Sequence, residues 1–315
     1  MLITVDWLAF AVREVPDKDI FSFLGIFKEL DWHVGAGNFG AYPDTLRYGS
    51  IQIGINGVNG YEFYVQLSGQ GCREFEDLMP DGWQWESFLK RLNSDEAVSI
   101  RRLDIAGDER EGYFNIDRFD RAVSRGCYAT RCKMPTVQKY GREVCYVGSS
   151  TSSVLMRFYN KKLERGFSPE DEDGKPWWRC ELQLRDEYCS QMIDDIIKHG
   201  IGKAFSGHCL NHIRWLQKPN DKKNSQRIKT AKWYDDFLGD CEKLKFTSAP
   251  GSTYNFSKLH RFIVHQAGSS IVTMAKLMKW SPQQFYDFFM DNDNIKLRDD
   301  QKDMLVRLGV PGFEE

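Results

Sequence analysis

Apolar residues recur along the chain with two different periods. In "SSVLMRFYNKKLERG" (152–166), Val154, Met156 and Phe158 alternate with Arg157, Tyr159 and Lys161, the period of two that separates the faces of a strand. "SIRRLDIAGD" repeats the pattern, with Leu103 and Ile105 opposing Arg102 and Asp104. In "WWRCELQLRD", Cys180, Leu182 and Leu184 oppose Arg179, Glu181, Gln183 and Arg185. Further strands are predicted in "MLITVDWLAF", in "LRYGSIQIGI" and "YEFYVQLSG" on either side of an "NGVNG" turn, and in "REVCYVGS". Helical spacing marks "DIFSFLGIFKEL" through Ile20, Phe23, Leu24, Phe27 and Leu30, and also "WQWESFLKRL" and "NIDRFDRAVSRG". "HVGAGNFG" reads as a loop, "SGQGCREF" as a tight turn bringing Arg73 near the active face, and "SPEDEDGKP" as a solvated connection.

These elements predict an α+β fold, with an antiparallel or mixed central sheet and helices packed on one face. From about residue 187 the pattern turns helical, beginning with "SQMIDDIIKHGIGKAF". Residues 1–240 are expected to form one domain and 241–315 a small helical module. In that module "SKLHRFIVHQAGSSIVTMAKLMKW" precedes "SPQQFYDFFMDN", which carries a serine cap at Ser281 and a first-turn proline at Pro282. No internal repeat stands out.

Composition narrows the function classes. A chain of 315 residues with 14% aromatic and 41% hydrophobic residues can bury a large core. The net charge of -2 confines any polyanion-binding surface to a local patch. One such patch is 214–233, where seven Lys or Arg residues stand against one Asp, an excess of +6. No apolar run is long enough for a membrane span, and Asp6 interrupts the first apolar segment where a signal peptide would have none, so a cytosolic protein is expected. The eight cysteines are then reduced thiols. Cys127/Cys132 and His208/His212 lack the paired knuckles of a zinc finger. Neither glycine-rich stretch has the spacing of a nucleotide-hydrolysing loop, so no motor is expected.

If the three alternating strands are neighbours, one polar face collects Tyr159, two carboxylates and several cations. Asp104 and Glu181 are hard oxygen donors suited to Mg2+ or Mn2+, while Arg157, Lys161 and Arg179 suit a phosphate. Nearby cations favour the phenolate of a tyrosine. The reaction such a face invites is attack of the tyrosine oxygen on phosphorus. Ordinary cross-strand ion pairs give the same alternation, however, and Tyr113, Tyr140, Tyr146 and Tyr188 compete as nucleophiles.

The strings "VDWLAF", "YEFYVQLSGQGCREFE", "RRLDIAGD", "YVGSSTSSVLMRFYNKKLE", "WWRCELQLR" and "NSQRIKTAKWYDDFL" occur in an order that resembles the replication initiation factor family. That family includes rolling-circle initiators of plasmids, relaxases of integrative elements and replication proteins of filamentous phages; the helical C-terminal module and compact length look most like the phage branch. The resemblance spans roughly residues 3 to 240. It implies a nicking and closing endonuclease that forms a 5'-phosphotyrosyl link at a replication origin and leaves a free 3'-hydroxyl. Tyr159 maps onto the expected nucleophile, and Asp104, Glu181 and Asp108 map onto carboxylates near a divalent metal. Asn160 stands where many members have Asp. The expected partners are single-stranded or hairpin-extruded origin DNA, a host helicase and a polymerase; a homodimer is one use open to the helical tail. On this resemblance Arg214, Lys218, Lys222, Lys223, Arg227, Lys229 and Lys232 contact DNA phosphates, and Trp215, Trp233 and Tyr234 stack on bases. The rival readings are a metal-dependent nuclease that uses water and a non-catalytic origin-binding protein.

Overall fold

The computed structural model describes residues 1–13, 15, 19–58, 60–166, 175–220, 227–244, 256–292, 295–308 and 310–313. Its strands are β1 (Leu2–Val12), β2 (His33–Phe39), β3 (Tyr42–Tyr48), β4 (Ile51–Ile55), β5 (Phe63–Leu67), β6 (Val98–Glu109), β7 (Tyr128–Thr130), β8 (Thr136–Gln138), β9 (Val144–Gly148), β10 (Val154–Asn160), β11 (Trp178–Arg185) and β12 (Ile213–Trp215). Ten of them form one sheet in the order β2-β3-β4-β5-β1-β6-β11-β10-β9-β8, while β7 pairs with β12 in a separate ribbon. Every pairing in the large sheet is antiparallel. The α+β class therefore holds, with the antiparallel form of the two expected.

The helices are α1 (Ile20–Leu24), α2 (Gly69–Leu78), α3 (Trp85–Ser94), α4 (Ile116–Ser124), α5 (Lys161–Glu164), α6 (Glu187–His199), α7 (Ile201–His212), α8 (Lys232–Cys241), α9 (Phe256–Arg261), α10 (Gly268–Met278), α11 (Pro282–Met290) and α12 (Asp299–Arg307). One face of the sheet carries the alternating apolar residues, among them Ile3, Leu8, Val65, Leu103, Ile105, Met156, Phe158 and Leu182, all fully buried. Burial of this kind contributes about 1.5–3 kcal/mol per large side chain. The opposite face carries polar side chains, several of them buried, among them Asp104, Arg179, Glu181 and Gln183.

The sheet contains a repeat of architecture that the sequence does not announce. Each half runs strand, helix, a meander of four strands, then further helices: β1, α1, β2–β5 and α2–α3 in the first, and β6, α4, β8–β11 and α6–α7 in the second. The halves join through the long β1–β6 pair. Two register shifts interrupt that pair, between Val5 and Trp7 and between Ala9 and Phe10. Each is a bulge with one extra residue, Asp6 on β1 and Arg101 on β6, which re-aims side chains locally.

Several local expectations change. The first helix stops at Leu24 because Gly25 turns left-handed (φ 69°), so Phe27 and Leu30 fall outside it. "HVGAGNFG" is not a loop but contains strand β2. "SGQGCREF" is not a tight turn but opens helix α2, in which Gly71 lies against the backbone of Ser50. The long C-terminal helix is broken by a π-helical turn at Phe262–Ala267. Ser281 does cap α11, accepting from Gln284 N, with Pro282 in the first turn. The connection "SPEDEDGKP" lies largely outside the described residues. All eight cysteines are free, and among the described residues no helix is long and apolar enough to cross a membrane.

Candidate active site

β6, β11 and β10 are consecutive in the sheet, so the three polar faces merge. Register sets Arg157 opposite Glu181, Tyr159 opposite Arg179 and Gln183 opposite Asp104. The Tyr159 hydroxyl donates to Glu181 Oε2 at 3.0 Å. Arg157 donates to the other oxygen, Glu181 Oε1, and lies 3.9 Å from Asp104. Asp104 also accepts two hydrogen bonds from Arg102, at 2.9 and 2.6 Å. A cavity of about 650 Å3 opens over this group, lined by Tyr159, Glu181, Arg157, Arg102, Asp6, Trp7 and Tyr146 among others.

Electrostatics follow from burial. Asp104 is 1% exposed and Glu181 4%. Burial, opposed by the Arg102 hydrogen bonds and aided by the nearby Glu181 charge, pushes the Asp104 carboxyl up to about 7. Burial also raises the Tyr159 phenol, and Glu181 raises it further. Burial works against the charge of Arg157, but Glu181 and Asp104 more than offset it. The tyrosine is thus neutral at rest, hydrogen-bonded to a carboxylate and open to a cavity with arginines on its wall.

Comparison with known proteins gives a consistent answer. Residues 98–292 match the model of Rep_trans, the replication initiation factor family, and residues 3–91 match the N-terminal domain of rolling-circle replication initiation proteins. The chain belongs to the replication initiation factor family. It is 25% identical over 261 residues to a putative DNA relaxase NicK of Bacillus subtilis (strain 168), covering 78% of this chain and 73% of that one. It also resembles the solved rolling-circle replication initiator protein of Geobacillus stearothermophilus, with a TM-score of 0.66 and 25% identity over 78% of this chain and 98% of that one. The two family matches divide the chain where the sheet divides, between β5 with its helices and β6.

Within this replication initiation factor, Asp104 and Glu181 carry the oxygen donors a hard divalent cation takes, but Arg157 stands between them. Arg102 holds both Asp104 oxygens, and Arg157 and Tyr159 hold those of Glu181, so a cation would have to displace an arginine. Among the described residues no group of three acidic, His or Cys side chains could hold a metal ion. Asp108 does not join them: Arg179 grips both its oxygens at 2.7 and 2.9 Å and reaches Asp6 at 2.7 Å. Arg179 is therefore not a free phosphate-positioning cation as expected. Burial disfavours its charge, yet its bonds to Asp108 hold its proton above the ordinary range.

Lys161 lies beyond the end of β10, in α5. Its ammonium pairs with Glu164 at 2.7 Å and sits 5.5 Å from the centre of the Tyr159 ring. Asn160 caps that short helix, accepting from Lys162 N and Leu163 N and donating to Glu143, a role an Asp could share only in its acceptor half. Of the competing tyrosines, Tyr146 lines the same cavity. Tyr113 donates to Asp240, Tyr140 is 91% exposed and Tyr188 packs near His212. His208 pairs with Asp195, and burial lowers His212 to about 4.

The basic segment needs correction. Trp215 and Tyr234 are fully buried, so these two rings face the core and not a nucleic acid, while Trp233 is half-buried and packs on Phe114, Phe119 and Trp215. Their cluster includes Phe158, whose ring lies 6.2 Å from Trp215 and 6.3 Å from Tyr234. It thereby anchors the strand that carries Tyr159. Lys218, Arg227, Lys229 and Lys232 are exposed, Lys232 being paired with Asp236, and Arg214 is half-buried. Lys222 and Lys223 lie outside the described residues.

Arg102 lies on the polar face where alternation placed it, and Asp6 and Trp7 join the cavity without any signal from alternation. The signal was present as a charge inside the apolar strand "ITVDWLAF". Strict alternation gives Asp6 and Trp7 opposite faces, and only the bulge lets both line one cavity.

Proposed function

We propose that this chain initiates rolling-circle replication by nicking one strand of origin DNA, with Tyr159 as nucleophile. The observation that carries this is the Tyr159 hydroxyl donating to Glu181 Oε2 at 3.0 Å on the floor of an open, arginine-lined cavity. A scissile phosphate enters beside Arg157 and Arg102. Tyr159 Oη bonds to phosphorus while the bond from phosphorus to the 3' oxygen breaks, leaving a 5'-phosphotyrosyl link and a 3'-hydroxyl. Because burial raises the phenol, the phenolate does not accumulate beforehand. Its proton passes to Glu181 as the new bond forms; Arg157, bound to the other Glu181 oxygen, fixes that carboxylate. The departing 3' oxygen takes up a proton, and reversal of the same steps reseals the strand.

Asp104 and Glu181 would be the residues to hold a divalent cation, Mg2+ or Mn2+, once Arg102 or Arg157 gave way, and the ion would supply charge neutralisation on the phosphate oxygens. Asp108 and Arg179 act as a structural ion pair. Lys161 lies over the phenol ring, and Arg214, Lys218, Arg227, Lys229 and Lys232 supply a rim for backbone phosphates. The sequence carries no recognised motor motif, so duplex opening falls to a separate helicase and extension of the 3'-hydroxyl to a polymerase of the host.

The test incubates labelled single-stranded origin DNA with the chain and Mn2+ and resolves the products on a denaturing gel. A protein-linked band that Tyr159→Phe abolishes is expected. Cleavage without a linked band points to hydrolysis by water, and binding without cleavage to a regulatory role.

A further inference from the structure

Next to the active cavity, across the ion-paired wall of Asp6, Arg179 and Asp108, lies a second cavity of about 530 Å3. Arg73, Arg110, Lys161 and Arg165 line it. Its two acidic residues, Asp6 and Asp108, are ion-paired to Arg179. Arg73 pairs with Glu76 and Lys161 with Glu164, both outside the lining, so the lining itself holds more cations than carboxylates. The first turn of α2, at Gly69 and Gln70, opens on it, and the Ser68 side chain makes no cap to that helix. The helix N-terminus therefore adds partial positive charge.

An independent observation concerns Trp177. Its ring lines the cavity and is 7% exposed, and its Nε1–H is buried with no acceptor among the described residues. Buried indole N–H groups ordinarily find one. The guanidinium groups of Arg110 and Arg165 rest 4.3 and 4.8 Å from the ring centre. A site with forked cationic donors, a helix N-terminus and an unanswered N–H calls for a compact ligand made of acceptor oxygens. Phosphate meets that description, because each guanidinium can present two parallel N–H donors to it.

We propose that this cavity binds a second backbone phosphate of the same DNA strand whose scissile phosphate sits at Tyr159, an inference that rests on the nicking reading above. The two cavities share Asp6, and Lys161 spans them, lining the second while its ammonium lies 5.5 Å from the Tyr159 ring centre. A strand crossing the Asp6–Arg179–Asp108 wall is held at both sides. Arg110 and Arg165 turn from the Trp177 ring onto the phosphate, which changes the surroundings of the indole. Holding two phosphates at once fixes the register of the strand and so the phosphorus that Tyr159 attacks.

The test uses the full chain carrying Tyr159→Phe, labelled with 15N at tryptophan, and titrated with octathymidylate, which offers several consecutive phosphodiesters. Indole signals of Trp7 and Trp177 are assigned through Trp7→Phe and Trp177→Phe. The expected result is a saturable shift of the Trp177 signal, with affinity about tenfold weaker in Arg165→Gln or Arg110→Gln, equivalent to about 1.4 kcal/mol. A Trp177 signal that stays in place, whether or not Trp7 moves, overturns the proposal, as does unchanged affinity in both arginine variants. Covalent linkage by the unsubstituted chain is read separately on gels. A Trp177 shift without any covalent product would retire the tyrosine mechanism and leave the phosphate site standing.

Discussion

At the residue scale, four carboxylates on the polar face around the active cavity each answer to an arginine. Glu181 has Arg157, Asp104 has Arg102, and Asp108 has Arg179, which also holds Asp6. Tyr159→Phe removes one hydrogen bond, so it is expected to cost about 1 kcal/mol of stability while abolishing covalent linkage; thermal melting and a gel measure the two separately. Asp104 gives a pH dependence whose sign is fixed. Its folded-state pKa of about 7 lies above the ordinary aspartate value near 3.9, so the folded chain binds the proton more tightly. Its contribution is complete below about pH 4 and is lost as pH rises through about 7. Denaturant melts between those limits should show that fall, and Asp104→Asn should flatten it. Loading with Mn2+ near pH 6.5 should release a proton from the same carboxyl, seen as a buffer-dependent heat in calorimetry.

At the scale of elements, the strand β10 holds Tyr159 in place through what lies behind it. Phe158, Phe119, Trp215 and Tyr234 pack into one aromatic cluster, so Trp215→Ala is expected to destabilise the chain by about 3–5 kcal/mol. Lys218→Ala, on the exposed stretch nearby, should leave melting unchanged. This contrast also explains what the sequence discloses. Alternation in β6, β10 and β11 exposes the polar face carrying Tyr159, Asp104 and Glu181, because period-two patterns survive wherever strands are regular. It fails at Asp6, where a bulge adds one residue to the count, and at Lys161, where Asn160 ends the strand and starts a helix. It fails again for Trp215 and Tyr234, since charge in the surrounding segment suggests exposure while tertiary packing decides burial. Asp108 and Arg179 lie on the correct face, but no local pattern says that they will pair with each other.

At the scale of the molecule, the two halves of the sheet are built alike yet depend on one another. The first half contributes Asp6 and Trp7 to the active cavity, and the second contributes Tyr159, Arg157 and Glu181. The repeat escapes notice in the sequence because strand order and helix placement can recur while residue identities do not. Separating the halves would bare β6, a strand of 12 residues, along an edge that promotes aggregation. Residues 95–315 expressed alone are therefore expected to aggregate on size-exclusion chromatography, and co-expression with residues 1–94 should restore a soluble complex.

The most direct test of the account is to identify the residue joined to DNA. After reaction with single-stranded origin DNA and Mn2+, nuclease trimming and tryptic digestion, mass spectrometry should find the nucleotide remnant on the peptide containing Tyr159. A remnant on Tyr146, which shares the cavity, or cleaved DNA with no modified peptide would contradict it.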